Sequence, residues 1–293
     1  MLSYLLSGGF DENFIIFIQS NFMFLESFFK QVGILVGTDL VIVLTLVIFW
    51  AFDKQLGKVM AMSYALCSAL TQIIKHNFLR KRPYMTNSQI KCLQHPKTPS
   101  QSIYNLKAQG YSFPSGHTSS ATAVYGSLAN YLRNRYVTIV CVAIIAVVAF
   151  SRIFLGVHFP SDVLAGLIVG LVSVFLVSFL FNRFDSFWPY LILFIFMIPG
   201  MFLGGSGFHA KMSLFLGFSV GFIFEENFVN FEKPKNIKET LLRCILGIVL
   251  FLVLNAVFTM EIFDLRILKL ISIFLTYFIL VGIYPMLFGR INL

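Results

Sequence analysis

The sequence predicts an all-α fold, a polytopic bundle of transmembrane helices, and three observations carry that prediction. Of the 293 residues, 58% are hydrophobic and only 12% charged, with a mean hydropathy of +0.84. Uncharged runs at 163–182, 186–209 and 270–289 reach the roughly 20 residues that carry a helix across about 30 Å of hydrocarbon. The charged residues collect between such runs. Lipid cannot satisfy backbone polar groups, which leaves helices or closed barrels, and barrel strands are about half as long.

In order, residues 1–31 mix Phe and Ile with Asn13, Gln19, Asn21 and Glu26, the pattern of an interfacial amphipathic helix. Asp11 and Glu12 stand where the basic start of a signal peptide would be, so none is expected. A first span follows at 34–52, with Asp39 read as a snorkelling or paired carboxylate near its end. The second, 59–78, runs into the basic stretch 75–83. Lys75 and Arg82 lie seven apart, which on a helix puts them on nearly one face, and Pro83 marks the stop. The pair is either a snorkelling cap or a grip on a single anion.

Residues 84–113 form a polar loop of the length found in lids, binding elements and disordered segments. The chain re-enters at Phe113-Pro-Ser-Gly-His-Thr-Ser-Ser120 and continues as a helix of small residues to 132. Ser115 and Gly116 at that start offer backbone N–H groups and the dipole to an anion, with His117 in the first turn. A fourth span from 137 ends at Ser151-Arg152, and the turn to the fifth, 163–181, contains His158 and Asp162. Pro160 suits the first helical turn, so His158 falls in the turn and Asp162 one turn in, near enough to orient the ring. Ionisable groups where two membrane-length segments meet are costly, and they mark a site.

A sixth span covers 188–203, with Pro199 a kink, and 204–207 breaks the chain. Three further spans lie near 212–224, 241–260 and 267–288. The expected units are therefore a segment 1–31, a six-span core 32–207 with the loop 84–113, and a C-terminal extension 208–293. The pairs Gly33/Gly37, Gly166/Gly170 and Gly217/Gly221 read as helix packing within the chain.

Alternation of the spans puts the close of span two, the start of three, the close of four and the start of five on one membrane face. Lys75, Arg82, Ser115, Gly116, His117, Arg152, His158 and Asp162 therefore converge. The formal charge of +9 lies at helix ends, which points to lipid headgroups or an anionic substrate rather than nucleic acid. The four cysteines have neither disulfide nor zinc spacing. No carboxylate cluster suits magnesium, so neither metal nor cofactor is expected.

Lys75 with six residues before Arg82-Pro83, then Pro114-Ser-Gly-His117, then Ser151-Arg152 with five residues before His158 and three more before Asp162, resembles the three-part signature of the type 2 phosphatidic acid phosphatase superfamily. The resemblance covers about 55–205. It implies that His158 attacks phosphorus to form a phosphohistidine, Asp162 holds its ring, and His117 protonates the leaving oxygen and then activates water. It also implies that Lys75, Arg82 and Arg152, with Ser115 and Gly116, bind the nonbridging oxygens, supplying the charge that kinases take from metal. Vanadate-dependent haloperoxidases share these motifs but are soluble.

The motifs read phosphate, not tail. Candidate substrates are undecaprenyl diphosphate, phosphatidylglycerol phosphate, phosphatidate, a sphingoid-base phosphate and lipid A. Cations divide almost evenly between the two faces and do not orient the chain; the resemblance implies a bacterial inner-membrane protein with its site facing outward. A phosphotransferase using the same phosphohistidine and a noncatalytic transporter or scaffold are the rival readings. No oligomeric state is implied.

Overall fold

The computed structural model describes residues 9–35, 38–94, 102–258 and 265–290, and every regular element among them is helical. Two N-terminal helices, α1 (Gly9–Asn21) and α2 (Glu26–Leu35), precede α3 (Thr38–Val47), which continues through a π turn at Ile48–Phe52. Then come α4 (Lys54–Phe78), α5 (Gly116–Leu132), α6 (Arg135–Phe154), α7 (Pro160–Arg183), α8 (Trp188–Met197), α9 (Gly205–Phe224), α10 (Ile237–Phe258) and α11 (Arg266–Phe278). Among the described residues five helices are long and apolar enough to cross a membrane: α6, α7, α10, and α9 and α11 with the turns that extend them. Leu40–Phe52 and Trp188–Leu203 are shorter apolar helices. The protein is a multi-pass integral membrane protein.

The expected spans at 59–78 and 116–132, now α4 and α5, are not among those five, and burial explains why. From Leu56 to Ala69 α4 is buried, with Ser63 and Ser68 facing protein, and Thr118, Ser119 and Thr122 of α5 are buried as well. Helices enclosed by other helices need no lipid-compatible surface. Lipid instead meets the outer faces, such as Leu164, Ile168 and Phe175 of α7 and Leu241, Ile245 and Leu252 of α10, all exposed.

Glycines set the closest approaches. A Cβ at Gly170 would lie 2.5 Å from Thr122 Cβ, and one at Gly166 2.7 Å from the Ser115 carbonyl, so this pair seats α7 on α5. Gly217 seats α9 on α11 in the same way, against the Phe274 carbonyl, and Gly221 seats it on the π turn Ile279–Ile283 that extends α11, against Val281. Gly33 faces Arg152, while Gly37 lies outside the described residues. So do the side chain of Asp39 and, in the loop, His95, Pro96, Lys97 and Pro99.

Helix α9 runs antiparallel to α4. At one end Lys54 meets Glu225 at 2.6 Å and Lys58 meets Glu226 at 2.7 Å; at the other, Gly207 lies against Gln72. The break expected at 204–207 shrinks to Gly204, because Gly205 at φ +62° already opens α9, ahead of the expected start at 212. Pro199 does interrupt the sixth span: α8 ends at Met197 and helix resumes at Gly200–Leu203. Helix α1 buries Ile15 and Ile18 in a second core with Tyr84, Phe154 and Phe159, while Phe10 and Phe17 stay exposed. Its apolar surface is therefore shared between protein and surroundings.

Candidate active site

The C-terminal half of α4, the N-terminal end of α5, the turn between α6 and α7 and the first turns of α9 line a cavity of about 280 Å³. Lys75, Arg82, Gly116, His117 and His158 stand in its wall, with Gln72, Gln94 and Lys211. No carboxylate lines it among the described residues.

His158 is presented by the turn between α6 and α7. Gly156 in that turn has φ +72°, and a Cβ there would fall 2.4 Å from the Lys91 carbonyl, so both conformation and space require glycine. Pro160 then opens α7, and Asp162, two residues on, accepts the Phe159 N–H at 2.8 Å. The Asp162 carboxylate is fully buried and lies 3.5 Å from His158 Nδ1. Ser112 Oγ donates to the same carboxylate oxygen and sits 3.4 Å from Nδ1. With Nδ1 turned to Asp162 and Ser112, Nε2 is the nitrogen left for the cavity. Burial, reinforced by the charges of Arg82 and Lys75 and opposed by Asp162, pushes the His158 pKa down to about 3. The ring is neutral at neutral pH, as a nitrogen nucleophile must be.

Lys75 and Arg82 share the wall by a route other than the one expected. Helix α4 stops at Phe78, Leu79 turns left-handed at φ 52°, and Arg82 is extended, at φ −76° and ψ 154°. Pro83 disfavours helix at the preceding residue, so the two-turn spacing does not apply. Lys75 Nζ donates to the Tyr111 carbonyl at 2.7 Å, and Arg82 donates to those of Gln109, Gly110 and Val157 at 2.7, 3.1 and 3.1 Å. The end of the polar loop thus closes over both cations.

Ser115 and Arg152 are close by but off the wall. Ser115 caps α5, its Oγ accepting the Thr118 N–H at 3.4 Å while its own N–H donates to the Asp162 carbonyl at 2.9 Å. That bond ties the starts of α5 and α7 together. Arg152, 1% exposed, donates to Ser151 Oγ at 3.1 Å and to Gln94 Oε1 at 3.4 Å. It therefore reaches the cavity through Gln94.

Sequence reasoning passed over Arg80, Ser112 and Lys211. Arg80 Nη1 donates at 2.8 Å both to Asp162 Oδ1 and to Ser161 Oγ, and the guanidinium lies 3.8 Å above the Phe159 ring. Asp11 of α1 completes this cluster, 3.4 Å from Arg80 and bonded to Ser161. Within a basic run Arg80 looks like any other cap residue, and nothing local to Ser112 signals its role.

Residues 56–186 match the PAP2 superfamily, and residues 210–293 match the transmembrane extension of PAP2 superfamily phosphatases. The chain is 33% identical over 72 residues to lipid A 4'-phosphatase of Porphyromonas gingivalis, covering 25% of this chain and 30% of that one. It is 41% identical over 77 residues to phosphatidylglycerophosphatase B of Bacillus subtilis, covering 23% and 38%. Undecaprenyl-diphosphatase BcrC of the same organism is 41% identical over 75 residues, covering 26% and 36%. The chain thus spans about a third of the length of each of these relatives. No solved structure matches it.

Proposed function

We propose that this chain, which belongs to the PAP2 superfamily, hydrolyses lipid phosphate monoesters or isoprenyl diphosphates through a phosphohistidine on His158, without a metal. The observation that carries the proposal is the gathering of Lys75, Arg82, Gly116, His117 and a neutral His158 around one cavity whose described lining has no carboxylate. Relatives named as lipid A, phosphatidylglycerophosphate and undecaprenyl-diphosphate phosphatases support the substrate class.

In the first half-reaction His158 Nε2 attacks phosphorus and the bond to the leaving oxygen breaks, that oxygen taking a proton from His117. Asp162 receives the Nδ1 proton's hydrogen bond and steadies the charge the ring acquires. In the second, His117 removes a proton from water, the oxygen attacks the phosphohistidine, and inorganic phosphate departs as His158 is regenerated. Lys75 and Arg82 bind the equatorial oxygens by exchanging loop carbonyls for a charged acceptor, the stronger partner. Arg152 joins them by giving up its 3.4 Å contact with Gln94. Gly116 adds a backbone N–H from the start of α5, and Ser115 holds that start in place. The site faces out of the cytoplasm of a bacterial inner membrane.

The test is phosphate release by detergent-purified protein from a panel of lipid phosphates and diphosphates in EDTA, with His158→Ala alongside. Release that survives chelation and disappears in the folded variant is the expected result. Activity that needs added Mg²⁺ would remove the metal-free mechanism, and activity retained by His158→Ala would remove the phosphohistidine.

A further inference from the structure

Lys211 belongs to the C-terminal extension, yet it stands in the wall of the same cavity as Lys75, Arg82, His117 and His158. Its position follows from Gly207, one helical turn earlier on the same face of α9. A Cβ at Gly207 would lie 2.5 Å from Gln72 Oε1, so glycine lets α9 approach α4 closely enough to bring Lys211 to the cavity. Lys75 is held by loop carbonyls, and Lys54 and Lys58 by Glu225 and Glu226. Lys211 is half-buried and makes no hydrogen bond or ion pair among the described residues. It also borders a second cavity of about 190 Å³ whose wall includes Leu214, Phe258, Ile273 and, away from the phosphoryl site, Lys269. A cation therefore sits between the place for a phosphoryl group and a more apolar space.

We propose that Lys211 binds a second anionic group beside the transferred phosphoryl, and so fits the site to a lipid diphosphate over a monophosphate. The inference rests on the hydrolase reading above. When His158 attacks the terminal phosphorus of a diphosphate, the bond to the bridging oxygen breaks and its electron pair stays with the lipid monophosphate. The negative charge on that leaving group rises, and an ammonium beside it favours the transition state. A lipid monophosphate passes its one phosphoryl group to His158 and its leaving group is an alcohol protonated by His117, so it offers Lys211 no second anion. The C-terminal extension would thereby take a direct part in substrate selection.

The test uses the full-length protein, with Lys211→Met and Lys211→Arg, on an isoprenyl diphosphate and the isoprenyl monophosphate of the same chain length. Lys211→Met should lower kcat/KM for the diphosphate by about 10- to 100-fold, as loss of one hydrogen bond to a charged group does. The monophosphate should lose at most about threefold, and Lys211→Arg should recover most of the diphosphate activity. Equal losses on both substrates, or none on either, would overturn the proposal. A second arm needs no turnover: thermal protection by methylenediphosphonate against that by inorganic phosphate, with Lys211→Met expected to lose the preference for the diphosphonate. Wild-type protein that releases no phosphate from any lipid would sink the hydrolase reading alone. In that event an unchanged diphosphonate preference in Lys211→Met would still decide against Lys211.

Discussion

Arg80 offers a sharp test of how the site is held together. Asp162 is fully buried, and Arg80, itself only 6% exposed, is its cationic partner at 2.8 Å. Arg80→Met keeps most of the packing against Phe159 but leaves the carboxylate with the Phe159 N–H, Ser112 and His158 alone. Removing one member of a buried ion pair costs about 3–5 kcal/mol. Three remaining partners put the loss at the low end, about 3 kcal/mol, which lowers Tm by roughly 6 °C in a chain of this size. Arg80 does not line the cavity, so it acts on the reaction only by positioning Asp162 and, through it, His158. If about half of the lost energy appears in the barrier, kcat falls roughly tenfold, at about 1.4 kcal/mol per decade, and KM hardly moves. Arg80→Lys, which keeps the charge but not the fork, should recover part of both. The assays are thermal unfolding in detergent and phosphate release as a function of lipid concentration. A variant with wild-type Tm and wild-type kcat would refute the reasoning, and a loss confined to KM would place Arg80 on the substrate instead.

The remaining predictions concern the His158 ring and the seam between α5 and α7. Because burial holds its pKa near 3, His158 should stay neutral as pH falls through the ordinary value of about 6.5; NMR of histidine-labelled protein checks this, and titration of its ring between pH 6 and 7 would contradict it. The unfolded imidazole takes up a proton near that ordinary value and the folded one does not, so stability should decline as pH drops below about 6.5. Gly170→Val should lower Tm, because its Cβ would lie 2.5 Å from Thr122 Cβ and 2.8 Å from the Ser119 carbonyl, overpacking that costs about 1–3 kcal/mol; an unchanged Tm would mean the two helices separate without penalty.

Hydropathy locates the helices that face lipid, and motif spacing puts the three motif segments at one end of the bundle. Span length and alternation fix which helix ends share a face, and the four-residue step from His158 to Asp162 across Pro160 is local geometry. Those constraints act along the chain and are legible in it. Which long side chains share a cavity is another matter, settled by packing between helices far apart in sequence. Arg80 became the partner of Asp162 only because Leu79 ends α4 in a left-handed turn and the chain doubles back. Arg152, expected to share the phosphate-binding role of Arg82, is drawn off the wall to Gln94. The low hydropathy of α4 and α5 reflects enclosure by neighbours that composition cannot identify. Lys211 joined the site through the close contact of Gly207 with Gln72, a distance no pattern of residues along α9 encodes.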